Sequence, residues 1–486
     1  MPDRYYVHTT VTPGRFHRIG KFGGVDWRED CARCSECVKP RCNYEVHEHE
    51  TEHNRDPLAA VQPLYECKAC FSCVQGCTKG LLSLSVNPEY LDMGDEYWKP
   101  DIIHSSWVQA DTGKIPVSGA GYRGPFHGPG FDSIWTDMSE IVRPTRDGIH
   151  GREYISTSVD IGPKPMRLVF SSDGKMITPP SHLLEISLPV ILDIPAWPVR
   201  EIGVALARAS AARDLKTVAV MFAEDAEKVP DSDIGSVVPI LNREDIQKRR
   251  DVIKKSSILV QLPDGPEVET MAAEVRELKP LAIVSIRLTL RPDSADRVME
   301  LSRKGFKVFH LCADQHGCER TENGTSGRHI KDVLREIHGC LVEEGFRDEV
   351  TLITSGGIAL AEHVAKAIIC GSDLVAADTA LLVALGCRVC LNAHSLIIDG
   401  ADVNSPESRL LDCPVQNAVG DIRYATRRMV NLMGAWHSQL IEVLGAMGIR
   451  EVRRLRGEVG RAIFMEEIEK EAFGDLDRMP PERVSA

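Results

Sequence analysis

The stretch Thr351-Leu-Ile-Thr-Ser-Gly-Gly-Ile358, the segment Ala359 to Ile369, and the run Asp373-Leu-Val-Ala-Ala377-Asp378-Thr379 read together as strand, turn, helix and strand. Leu352-Ile353 and Leu374 to Ala377 are apolar without polar alternation, the pattern of strands covered on both faces, and a helical segment joins the two runs. Two strands linked by a helix are parallel, because a tight hairpin cannot connect them in that sense.

The same grammar recurs upstream. Further candidate strands are Pro189 to Asp193, Thr217 to Phe222, Val237 to Leu241, Ile258 to Leu262, Ala282 to Leu288 and Lys307 to Cys312. Helix-like stretches follow most of them: Val199 to Ala212, Val268 to Leu278, Ser294 to Lys304 and Ile330 to Glu344. Eight such units close a (β/α)8 barrel of the TIM type. A doubly wound open sheet is the alternative, since the third and fourth units are interrupted by the highly charged segment Asn242 to Lys255. Beyond Asp412, Ile422 to Met433, His437 to Ala446 and Val459 to Ala472 have helical periodicity and suggest a tail packed on the body.

The chain has 486 residues, 43% hydrophobic and 27% charged, enough for a barrel plus a satellite domain and well inside the globular range. Lys and Arg number 58 against 71 for Asp and Glu, and a net charge of −13 disfavours nucleic-acid backbones and anionic lipid. No apolar run reaches the length of a membrane span and Met1 to Tyr5 lacks a secretory signal, so a cytoplasmic location is expected. The expected organisation is a metal-built unit over 1–95, an irregular Gly- and Pro-rich connector over 96–165, the barrel over 166–395, and a cysteine-bearing loop with helices over 396–486. Gly119-x-Gly121-x-x-Gly124 lies in the connector and matches a dinucleotide fingerprint only by letter: no strand precedes it, and Pro125 and Pro129 block a helix behind it.

Eight of the fifteen cysteines fall between residues 31 and 77, as Cys31-x2-Cys34-x2-Cys37-x4-Cys42 and Cys67-x2-Cys70-x2-Cys73-x3-Cys77. The pattern resembles bacterial two-cluster ferredoxins, in which three close thiolates grip one cubane and the fourth crosses to the other. On that logic Cys31, Cys34, Cys37 and Cys77 hold one [4Fe-4S] cluster, and Cys67, Cys70, Cys73 and Cys42 the second. Paired zinc ribbons are the alternative, but tetrahedral zinc does not require two runs of three closely spaced cysteines. His47, Glu48, His49 and His53, between the motifs, read as a solvated loop. Cys387, Cys390 and Cys413 form a looser group near the last strand, either ligands of a further cluster or, alternatively, Cys387 a small core residue and the other two incidental.

Thr354-Ser355-Gly356-Gly357-Ile358 and Ala376-Ala377-Asp378-Thr379-Ala380 follow the seventh and eighth strands, where barrels bind phosphate. With Gly386-Cys387 and Cys413-Pro414-Val415 they resemble the FMN-binding synthase domain of glutamate synthase, in its archaeal-type form with an N-terminal two-cluster ferredoxin module. The resemblance implies FMN at the barrel mouth, held around Ser355, Gly356, Gly357, Ala377 and Thr379. It also implies a [3Fe-4S] or [4Fe-4S] cluster on Cys387, Cys390 and Cys413. Several positions depart from it. The glycine-rich segment over the flavin reads Asp314-Gln315-His316-Gly317-Cys318-Glu319, Arg287 replaces a lysine on the fifth strand, and Asp378 occupies the phosphate turn. Asp193 to Trp197 and Phe222 to Asp225 replace glycine-rich substrate loops, and Met1-Pro2 lacks the cysteine nucleophile of the family's glutaminase.

Two functions are therefore expected. In the first, an iron–sulfur oxidoreductase takes electrons from a partner protein through the clusters to FMN and a small amino or imino substrate, with Arg287 balancing flavin charge and Asp314 or His316 as acid or base. In the second, the barrel is a relay and scaffold subunit of a larger redox complex with a degenerate flavin site.

Overall fold

The computed structural model describes residues 5–16, 19–31, 34, 42, 70–115, 128–136, 154–165, 167–178, 182–195, 202–321, 326–390 and 414–473. The chain divides into two compact units, one made of 1–13, 104–385 and 415–486, the other of 14–103 and 386–414.

Eight strands close the barrel in the first unit: β1 Val190–Leu192, β2 Ala219–Phe222, β3 Val237–Ile240, β4 Leu259–Pro263, β5 Ile283–Thr289, β6 Val308–Cys312, β7 Thr351–Ser355 and β8 Leu374–Ala377. Each pairs in parallel with its sequence neighbours, and β8 returns to β1 through Val375 opposite Val190 and Ala377 opposite Leu192. Closure removes the open-sheet alternative. Strands β3, β7 and β8 are buried at every position, as strands of a parallel sheet covered on both faces must be.

The outer helices are α1 Ile202–Asp214, α2 Arg243–Lys248, α3 Arg250–Lys255, α4 Val268–Leu278, α5 Ser294–Arg303, α6 Ile330–Glu343, α7 Ala361–Ile369 and α8 Thr379–Ala384. In α6 the buried residues Ile330, Val333, Leu334, Ile337 and Leu341 recur at helical spacing and lie on one stripe. The charged segment that weakened the third unit forms α2 and α3. Its entry is a capping box, with the Asn242 side chain accepting from Asp245 N at 2.9 Å and the Asp245 carboxylate accepting from Asn242 N at 3.0 Å. Lys279 then ties α3 to β4 by donating to the carbonyls of Ile253, Ser256 and Ser257 at 2.9, 2.7 and 2.8 Å. Between β2 and β3 the crossover shrinks to one helical turn, Ala223–Ala226, and a short 3-10 segment.

Three elements differ from the sequence expectation. The two expected tail helices are one 25-residue helix, α9 Ile422–Ala446. It runs through Gly434, where a Cβ would stand 2.6 Å from Thr9 Cγ2; the glycine admits the N-terminal segment rather than breaking the helix. The last expected helix begins only at Met465, because Ala462–Phe464 pairs antiparallel with Ile134–Thr136. Within the expected irregular connector, Pro100–Thr112 is helical and carries the fully buried Ile103 and Trp107.

In the second unit Phe22–Trp27 pairs antiparallel with Leu82–Val86, and a single turn, Ser72–Gly76, carries Cys73 into contact with Leu82. Among the described residues, no helix is long and apolar enough to cross a membrane.

Candidate functional site

The barrel interior narrows to a buried polar layer at the carboxyl ends of its strands. Arg287 on β5 donates to both oxygens of Asp193, just past β1, at 3.0 and 2.9 Å. The same guanidinium reaches Gln261 Oε1 on β4 at 3.1 Å and His310 Nδ1 on β6 at 3.1 Å. Gln261 Nε2 lies 2.8 Å from His310 Nδ1. Two donors on Nδ1 make it an acceptor, so the ring is neutral and carries its proton on Nε2. Burial agrees, pushing His310 down to about 3. Burial disfavours the Asp193 carboxylate as well, but the Arg287 charge outweighs it and holds the group down at about 2. Arg208 of α1 stands behind this layer, donating to Val220 O at 2.8 Å; burial lowers it to about 10 against the pull of Asp193 and Asp225.

Asp193, His310 and Cys312 bring one donor atom each within 4.8 Å of one another. That set is not a metal centre. The Arg287 guanidinium already occupies both Asp193 oxygens, and burial pushes the Cys312 thiol up to about 11. A second triplet, Asp132, Glu362 and His363, has His363 Nε2 on Asp132 at 2.7 Å and its Nδ1 accepting from Ala359 N at 3.2 Å, so both ring nitrogens are spent.

Around this layer the structure places the expected site residues as follows. Ser355 ends β7 and is buried; Gly356 and Gly357 turn the chain with φ of +96° and +69°. A Cβ on Gly356 would stand 2.4 Å from the carbonyl oxygen of Asp314, so this glycine is demanded by the loop after β6 as well as by its own backbone. Gly356→Ala is expected to cost about 2 kcal/mol or more from strain and overlap, measured as a fall in the urea midpoint. Ala377 ends β8 and Thr379 opens α8, its hydroxyl buried without a hydrogen-bond partner among the described residues.

Asp314 and His316 sit in the turn that leads to a hairpin, Cys318–Arg320 with Ser326–His329. The Asp314 carboxylate accepts from His316 N at 2.9 Å and Cys318 N at 2.8 Å, which shapes the turn. Asp378 is 4% exposed, and among the described residues no basic side chain pairs with it: Arg287 is engaged by Asp193, and Lys366 by Glu362 at 3.3 Å. Desolvation, with the Asp193 charge adding to it, pushes Asp378 up to about 7. Sequence reasoning missed Gln261 and His310. Their signal was a polar residue inside an otherwise apolar strand, which must find a buried partner.

Of the expected cluster ligands, Cys31, Cys34, Cys42, Cys70, Cys73, Cys77, Cys387 and Cys390 lie among the described residues, in the second unit. Cys37, Cys67 and Cys413 lie outside the described residues, so each expected ligand set is described only in part. Phe71, between two of the cysteines, has φ of 61°, and Cys77 Sγ accepts from Leu81 N at 3.3 Å. Hydrogen bonds from the Ser72 side chain and backbone lower the Cys70 thiol, and bonds from Leu81 and Lys79 backbone lower Cys77. Cys387 Sγ accepts from Val389 N at 3.5 Å, where Val389 has φ of 51°.

A family profile described as the conserved region in glutamate synthase matches residues 317–450, from the loop after β6 through α9. The archaeal-type glutamate synthase [NADPH] of Dehalococcoides mccartyi is 23% identical over 485 residues, covering 89% of this chain and 93% of that one. The archaeal glutamate synthase [NADPH] of Methanocaldococcus jannaschii is 26% identical over 441 residues, covering 78% and 84%. Among solved structures, the flavin-binding domain of baker's yeast flavocytochrome b2 superposes with a TM-score of 0.39 at 12% identity, covering 70% of this chain and 85% of that domain, too loosely to carry an argument. The matched region and the near full-length relatives show that this chain is similar to glutamate synthases, at low identity.

Proposed function

We propose that the chain is an oxidoreductase of the glutamate synthase type, with iron–sulfur clusters on the cysteine-rich unit and a flavin at the barrel mouth. The observation that carries the reading is the near full-length similarity to archaeal and archaeal-type glutamate synthases [NADPH]. A bound flavin supplies exchange between single electrons and two-electron chemistry.

Two observations at the ends of β7 and β8 fit a flavin phosphate. Gly356 and Gly357 turn with positive φ, which lets backbone N–H groups face an anion, and the Thr379 hydroxyl is a buried donor with nothing to bond. Ser355, Gly357 and Thr379 would hold the phosphate. Asp378 fits it only when neutral, because a carboxylate about 4 Å from a phosphate charge costs on the order of 4 kcal/mol at an effective dielectric near 20. The Arg287 guanidinium, fixed by Asp193, Gln261 and His310, supplies a stationary positive charge and orients the layer beneath the mouth. His310 carries an Nε2 proton there, buried and 3.5 Å from Asp193 Oδ2. The substrate is of the small amino or imino class. Electrons arrive from a partner protein through thiolate-bound clusters on Cys31, Cys34, Cys37 and Cys77, on Cys67, Cys70, Cys73 and Cys42, and on Cys387, Cys390 and Cys413.

A second reading, electron relay and scaffold without flavin, is favoured by one observation. Arg287, Asp193 and Gln261 spend their charges and hydrogen bonds on one another inside the barrel. Metal and flavin analysis of anaerobically isolated protein separates the readings. The enzyme reading expects about eight irons from two cubanes, more with a third cluster, and about one FMN per chain. Iron and sulfide without flavin would leave the relay, and zinc in place of iron would remove both.

A further inference from the structure

Asp378 stands where an anion is expected, yet it is itself an acid. It lies in the turn after β8, with backbone φ −122° and ψ −89°, and its carboxylate accepts the N–H of Thr379 at 2.5 Å. That N–H is one that a phosphate at this turn would take. The carboxylate and the phosphate therefore compete for the same donor, and they repel each other as well.

We propose that Asp378 is a proton-dependent gate on the flavin phosphate: its protonated side chain admits the phosphate at the turn after β8, and its ionised side chain expels it. The proposal rests on the flavin reading above and adds the residue that controls occupancy. Protonation resolves both conflicts. A neutral carboxyl group no longer repels the anion, it leaves the Thr379 N–H available, and its O–H becomes a donor to a phosphate oxygen. The unpartnered Thr379 hydroxyl beside it supplies another.

The charged and titratable groups acting on Asp378 come from three strands: Asp193 beside β1, Arg287 on β5 and Cys312 on β6. Asp193 and Arg287 are locked to each other, so neither responds to a modest pH change. Cys312 is a neutral thiol over the same range, because burial holds it well above its ordinary value. Arg208 and His310 act one step behind, through Asp193. Asp378 is thus the group in this layer that changes charge near neutrality, and its free value of about 7 sets the window. The linkage sign is direct. Phosphate binding takes up a proton at Asp378, so affinity is full below about pH 7 and falls about tenfold per pH unit above it.

The test uses full-length, cluster-containing protein freed of flavin and titrated anaerobically with FMN, read by flavin fluorescence at pH 7, 8 and 9. Over this range the phosphate is already a dianion, its second ionisation lying near pH 6. Wild-type Kd should rise about fiftyfold between pH 7 and pH 9. Asp378→Asn should bind with no slope, and riboflavin, which lacks the phosphate, should show none with the wild type. A flat wild-type profile would overturn the gate and leave the flavin reading standing, whereas a slope that persists in Asp378→Asn would assign it to another group. Failure of both proteins to bind FMN at every pH would overturn the gate and the flavin reading together.

Discussion

Replacing Arg287 by methionine is expected to destabilise the barrel by about 3–5 kcal/mol, because it leaves the Asp193 carboxylate buried without its counter-charge. Asp193 is 1% exposed and both of its oxygens are bonded to this one guanidinium. The fold-back of the same group onto Gln261 and His310 means that three strands lose a shared donor at once. A two-variant comparison isolates the charge from the packing: Arg287→Met combined with Asp193→Asn should recover most of the loss, since the remaining groups are neutral. Equal destabilisation of the single and double variants, in urea, would mean that the buried carboxylate was not ionised. The pH dependence carries the same signature. A carboxyl group held at about 2 when folded and near 3.9 when unfolded contributes stability above pH 4 that is lost as the pH falls toward 2. That acid limb should shrink in Arg287→Met, where the charge that chiefly holds Asp193 low is gone.

The barrel was legible because its strands obey one rule: short apolar runs bounded by turn residues, repeated with helices between. The parallel unit β7–α7–β8 shows it best, with every residue of both strands buried. The polar layer was not legible as a layer. Arg287 and Asp193 lie 94 positions apart, and nothing local in either strand reveals that they meet. Asp378 was visible as an acid in a phosphate turn, but not that its two candidate counter-charges are taken, Arg287 across the barrel and Lys366 one helical turn from Glu362. Gly434 in α9 misled in the opposite direction. A glycine inside a helical pattern reads as a break, whereas here it makes room for Thr9, 425 residues earlier, a contact that periodicity cannot encode.

Cys73→Ala is expected to remove one cubane and lower iron from about eight to about four atoms per chain, counting two clusters. The substitution suits the test because Cys73 is 7% exposed and packs on Leu82, so alanine keeps most of the local packing while deleting the ligand. The left-handed Phe71 folds Cys70 and Cys73 onto one tight turn, and Ser72 bonds the Cys70 sulfur at 3.5 Å. Cys77 is bonded by Leu81 N. On the ferredoxin pattern Cys73 shares its cluster with Cys67, Cys70 and Cys42, whereas Cys77 belongs to the other, so the second cubane should survive the change and keep its visible absorption. Cys340→Ala, on α6 and outside both motifs, should leave iron unchanged. If Cys73→Ala retained the full complement of iron, the turn would have no ligand role and the cysteine spacing would need another explanation. If all iron were lost with the fold intact, the two clusters would form as one cooperative unit, each fixing the chain on which the other depends.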